Sequence, residues 1–133
     1  MIVLSNTTAQ VIPAGGSLVF DKVVLHRGCA ECHRSNTGDV KLRKKGLFEV
    51  HFSANIGATT EAEDSTLAIM LGGVRLPETT MNSVNVAAGD INNVATNTIV
   101  SNCCGDYDRI SVMNVGTTTV NVGENPSLVV HEL

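Results

Sequence analysis

The sequence predicts an all-β fold packed as an antiparallel sandwich, and three observations carry that expectation. Val occurs 18 times, Thr 13 times and Asn 12 times among 133 residues, a composition that favours pleated strands and tight polar turns over helices. Residues 47–56 alternate strictly, with Phe48, Val50, Phe52, Ala54 and Ile56 on one face and Glu49, His51, Ser53 and Asn55 on the other, which is the pattern of a strand with one buried face. Turn residues recur throughout, at Gly15-Gly16, Gly28, Gly38, Gly46, Gly57 and Gly105, so many short strands are expected in place of a few long elements.

Taken in order, residues 1–12 hold Val3, Leu4 and Val11 among Asn and Thr with no core period. They read as an N-terminal arm that docks on a neighbour by adding a strand, ahead of one sandwich domain over 13–133. Residues 59–71 are the one helix candidate, because Glu61, Glu63 and Asp64 could sit in a first turn. The alternation of Leu67, Ile69 and Leu71 before Gly72-Gly73 favours an acidic loop leading into a strand. After Gly89-Asp90, residues 94–100 alternate with Asn and Thr. Three short strands then follow around Ile110 and Val112, Val120 and Val122, and Leu128 and Val130. The core is expected from Phe48, Val50, Phe52, Ile69, Ile110, Val112, Val120 and Val130.

Composition narrows the role. The chain suits one domain, with 43% hydrophobic and 17% charged residues. Aromatics are only 3%, with no Trp, which leaves few platforms for bases or sugar rings. A net charge of −4 has the wrong sign for neutralising phosphates, so no nucleic-acid partner is expected. Neither a membrane span nor a leader segment is legible, so no membrane partner is expected either.

The runs Pro13-Ala14-Gly15-Gly16-Ser17-Leu18-Val19-Phe20 and Val23-Val24-Leu25, followed by Gly46-Leu47-Phe48-Glu49-Val50-His51-Phe52-Ser53-Ala54, resemble the trimeric jelly rolls related to tumour necrosis factor (TNF) and complement C1q. The resemblance extends from Pro13 to the C-terminus and implies an antiparallel jelly-roll β-sandwich that assembles as a homotrimer and acts by binding, without catalysis. Small proteins of this appearance are similar to head-fibre, capsid-decoration and tail-associated proteins of bacteriophages. The resemblance therefore implies a structural virion protein, assembled in the bacterial host cytoplasm and contacting virion proteins such as the major capsid protein. A host-surface recognition head is the alternative, binding a receptor through loops at 59–64 or 72–80. The four cysteines and the low aromatic count depart from the pattern.

Cys29-Ala30-Glu31-Cys32-His33 matches the C-x-x-C-H spacing of covalent haem attachment, but a Val- and Thr-rich sandwich offers no helical haem pocket, so no cofactor is expected. Cys29, Cys32, Cys103 and Cys104 are chemically able to share a zinc ion, with His33 as a substitute ligand. Adjacent Cys103 and Cys104 point to opposite faces of a strand unless the backbone turns at Gly105, and buried thiols or a local disulfide are the simpler expectation. Asp106 and Asp108 carry a fragment of calcium-loop spacing without the further acids. Arg43, Lys44 and Lys45 form a basic cluster expected to be a solvated turn. No nucleophile elbow and no phosphate-cradling glycine loop occurs, so the chain is not expected to be an enzyme.

Overall fold

The computed structural model describes residues 1–58, 63–85, 87–102 and 108–133. Among the described residues thirteen strands succeed one another: β1 (Ile2–Ser5), β2 (Gln10–Ile12), β3 (Lys22–His26), β4 (Glu31–His33), β5 (Val40–Leu42), β6 (Gly46–Gly57), β7 (Glu63–Leu71), β8 (Val74–Arg75), β9 (Met81–Asn85), β10 (Ile91–Asn102), β11 (Arg109–Asn114), β12 (Val120–Val122) and β13 (Ser127–Glu132). A short 3-10 turn, Pro77–Thr79, links β8 to β9. No helix among the described residues is long and apolar enough to cross a membrane.

The strands form two antiparallel sheets, of seven and six strands. β6 is the hub of the larger sheet, pairing with β10 along its whole length on one side. On its other side it pairs with β13 and, at its C-terminal end, with β12. From these the sheet continues through β13 to β1 and β3, and through β12 to β2. The smaller sheet runs β4, β5, β11, β7, with β8 and β9 both pairing to β7.

The expected core is in place. Phe48, Val50, Phe52, Ile69, Ile110, Val112, Val120 and Val130 are all buried between the sheets, joined by Leu18, Phe20 and Leu128. The alternation read over 47–56 extends by a residue at each end into β6, and its polar set is exposed or half-buried. The hairpin at Gly72-Gly73 is as short as the spacing allows: Leu71 pairs with Val74, and both glycines take positive φ, 59° and 82°. A two-residue turn needs such angles to match the strand twist, and glycine adopts them without a Cβ penalty.

Two expectations change. Residues 1–12 supply two strands of the larger sheet in place of a free docking arm. β1 lies between β13 and β3, with Leu4 paired to Leu128 and Val23, and Ile2 and Leu4 are buried in the core. The physical reason is non-local: partners more than a hundred residues away fix the strand, and four residues carry no readable period. Glu63 and Asp64, expected in an acidic loop, belong to β7, because its ladder with β9 starts at Glu63 opposite Asn85; residues 59–62 lie outside the described residues. The segment 72–80 is a hairpin followed by a pinned turn, in which the Thr79 hydroxyl donates to the Leu76 carbonyl at 2.7 Å and accepts from the Ile69 amide at 2.9 Å.

Candidate functional site

The register of the larger sheet determines which side chains share its outer face. One row crosses five strands: Leu25 on β3, Val3 on β1, Val129 on β13, His51 on β6 and Asn97 on β10. The neighbouring rows are Ser127, Ser53 and Ala95, and His131, Glu49 and Ile99. Strand alternation forces these residues outward because Ile2, Leu4, Val50, Phe52, Leu128 and Val130, next to them in sequence, fill the core. The face is therefore an apolar strip of Leu25, Val3 and Val129 beside a polar centre and a second apolar margin on β10.

At the polar centre His51 Nε2–H donates to Glu49 Oε1 at 2.8 Å, two residues away on the same face of β6. Beside this pair an open groove of about 420 Å³ is lined by His51, Phe52, Ser53, Ala95, Thr96, Asn97 and Ser127. At the end of the sheet a second groove, of about 620 Å³, lies over Gly57. There Val11, Asn121, Gly57 and Ile91 form one row across β2, β12, β6 and β10. Val11 and Ile91 are 66% and 71% exposed, and Ile99 is 59% exposed. Above Gly57 there is open space where a Cβ would stand, so the missing side chain deepens this groove.

The C-x-x-C-H segment is split by the same alternation. Cys29 is exposed and precedes β4, and Cys32 is half-buried; both are free thiols. Glu31 and His33 take the inward side of β4, opposite Leu42 and Val40, whereas Cys32 faces outward opposite Lys41. Adjacent Cys32 and His33 thus point to opposite faces and do not converge on one ion. His33 is also engaged on both nitrogens, with Nδ1 2.8 Å from the Asp39 carbonyl and Nε2 3.0 Å from the Phe20 carbonyl. Among the described residues no group of three His, Cys, Asp or Glu side chains is placed to hold a metal. Cys103 and Cys104 lie outside the described residues, as does Asp106; Asp108 uses its carbonyl to accept from the Leu42 amide.

Glu31 is a polar group that sequence reasoning passed over. Its carboxylate is buried and accepts from the Met1 amine at 3.0 Å and from the Glu132 amide at 3.1 Å, tying β4 to both terminal strands of the other sheet. The apolar strip was missed as well, although the alternation of β13 around Leu128 and Val130 already assigns Val129 to the opposite face.

No protein-family profile matches the chain, and no curated protein matches it by sequence. Solved structures do match in fold. The TNF homologue Eiger from S. frugiperda superposes with a TM-score of 0.72 at 10% identity, covering 99% of this chain and 90% of that one. The globular domain of zebrafish complement 1qA gives 0.68 at 9% identity, covering 95% and 93%. Murine APRIL at pH 5.0 gives 0.64 at 13% identity, covering 98% of each chain. The fold is a TNF/C1q-like jelly-roll sandwich.

Proposed function

We propose that this chain is a non-catalytic recognition head, a TNF/C1q-like jelly roll that self-associates as a homotrimer and binds a protein receptor. The observation that carries the reading is the outer face of the larger sheet, where Leu25, Val3 and Val129 align across three strands and Ile99 stands exposed on β10. An apolar strip flanked by a hydrogen-bonded polar pair suits a second copy of the chain better than bulk water. The fold's relatives support recognition by protein contact more directly than particle assembly.

The narrower role expected from the sequence, a structural virion component beside the major capsid protein, uses the same self-associating surface. Co-sedimentation of the protein with particles, against adsorption of the free protein to intact cells, separates the two roles.

Light scattering tests the self-association on which both depend. Three copies of the 14.0 kDa chain give about 42 kDa, and Val129→Glu places a charge in the apolar strip and is expected to yield folded monomer. A wild-type monomer, or a Val129→Glu protein that stays trimeric, would overturn the reading.

A further inference from the structure

We infer that the outer face of the β4–β5–β11 edge is a binding site for a tetrahedral oxyanion, a sulfate or phosphate group. The register places Cys32, Lys41 and Arg109 in one row across these three strands. The inward neighbours Val40, Leu42 and Ile110 are fully buried, so the row is held on the opposite face. Over it lies a cavity of about 270 Å³ lined by Cys32, Arg34, Thr37, Asp39, Lys41 and Arg109. This is near the lower end of the range of about 300–1,000 Å³ for small-molecule sites, a size suited to one charged group and a small carrier.

Charge selects the class of ligand. Among the described residues, the cations Arg34, Lys41 and Arg109 and one carboxylate, Asp39, line the cavity, in a chain whose net charge is −4. Asp39 engages Arg109 through Nη1 at 3.2 Å, which leaves the rest of that five-donor fork available. Among the described residues no carboxylate pairs with Arg34. The two guanidinium forks of Arg34 and Arg109 around one cavity match the several acceptor oxygens of a sulfate or phosphate group better than the two of a carboxylate.

The frame is rigid, so the site is formed before a ligand arrives. The loop from Arg34 to Asp39 is pinned to the core by the Phe20 amide donating to the Thr37 carbonyl at 3.0 Å and by the Asn36 amide donating to the Phe20 carbonyl at 3.0 Å. The His33 ring holds the Asp39 carbonyl from beneath, and the Thr37 hydroxyl closes the turn on the Arg34 carbonyl at 2.6 Å. The site belongs to the smaller sheet, away from the face assigned to self-association, and does not depend on it.

Titration of isotopically labelled protein at low ionic strength, followed by NMR, tests the assignment. The probes are sodium sulfate, sodium phosphate, N-acetylglucosamine 6-sulfate and, as the uncharged control, N-acetylglucosamine. Saturable shifts at Arg34, Lys41 and Arg109 are expected with the three anions and not with the control. Arg34→Ala and Arg109→Gln should each weaken binding by about ten-fold or more, since a hydrogen bond to a charged group exceeds the ~1.4 kcal/mol of one decade. Arg75→Gln, on the far edge of the same sheet, removes the same charge and should bind as the wild type does. Tighter binding of the sugar ester than of free sulfate identifies an ester as the ligand, and equal binding identifies the free ion. Absence of saturable shifts, equal weakening by Arg75→Gln, or shifts confined to residues 43–45 would overturn the proposal.

Discussion

Removing residues 1–10 should unfold this protein, and the structure says how strongly. The deletion takes away all of β1 and the first residue of β2, and with them three pairings to β13 and four to β3. Ile2 and Leu4 are 1% and 0% exposed, and burying two such side chains contributes about 3–6 kcal/mol, at roughly 1.5–3 kcal/mol each. β3 pairs only with β1 among the described strands, so it loses its whole ladder. Set against the roughly 5–15 kcal/mol of net stability usual for a domain, the side chains alone account for a large part, and the lost ladders should abolish the cooperative transition. A finer pair of variants isolates the cause. Leu4→Ala should cost about 2–5 kcal/mol, which at a urea m-value of roughly 1–3 kcal/mol/M moves the midpoint by about 0.7 M or more. Val3→Ala, facing outward on the same strand, should cost less than about 1 kcal/mol in protein kept monomeric by Val129→Glu. The assay is urea unfolding followed by far-UV circular dichroism at fixed protomer concentration, because assembly couples stability to concentration. A truncated protein with an unchanged midpoint, or equal costs for Leu4→Ala and Val3→Ala, would refute the placement of β1 in the sheet.

Two further outcomes follow from single side chains. The Asp21 carboxyl is held below its ordinary value of 3.8 chiefly by the Thr7 hydroxyl and then by the Thr7 amide, which donate to its two oxygens at 2.6 Å and 2.9 Å. A depressed folded value means that its contribution to stability is complete above pH 3.8 and is lost as pH falls through the lower folded value. The NMR titration midpoint of Asp21 should therefore lie below 3.8 and return part of the way in Thr7→Ala, which keeps the amide; a midpoint unmoved by that change would contradict the hydrogen-bond origin. His33→Ala leaves the Asp39 carbonyl without its ring partner, an expected cost of about 1–3 kcal/mol. The same urea assay reads it, and an unchanged midpoint would mean that the ring does not support the loop.

What the sequence disclosed depended on how locally each strand is specified. β6 was legible because ten residues, 47–56, alternate between a core face and an outer face without reference to any partner. β7 was legible over Leu67, Ile69 and Leu71, yet its polar beginning at Glu63 was not, because only the ladder with β9 identifies it as strand. β1 and β2 have four and three residues; at that length Ile2 and Leu4 look no different from Val23 and Val24, which stand exposed on the edge strand β3. The lead-in segment from Pro13 to Phe20 buries Leu18 and Phe20 without becoming a regular strand, held by isolated bridges from Ser17 to Met113 of β11 and from Phe20 to Thr37 in the loop after β4.

Charge shows the same dependence on register. A net charge of −4 argues against phosphate-rich partners only if the charges are mixed over the surface, and the fold does not mix them. Residues 32–48 contain five of the nine cations and a single acid, Asp39. Pairing β5 with β11 then brings Arg109 beside them from a point far along the chain. Among the described carboxylates, Glu49 lies on the other sheet's outer surface beside His51, and Glu31 is buried against the terminal strands. A sum over the sequence cannot register that separation, because the Cys32, Lys41 and Arg109 row exists only once three strands are placed side by side. The identity of the candidate site was therefore absent from composition, although each of its residues was present in the chain and its long-range pairing needed only the buried alternation of Val40, Leu42 and Ile110 to decide which way the cations would face.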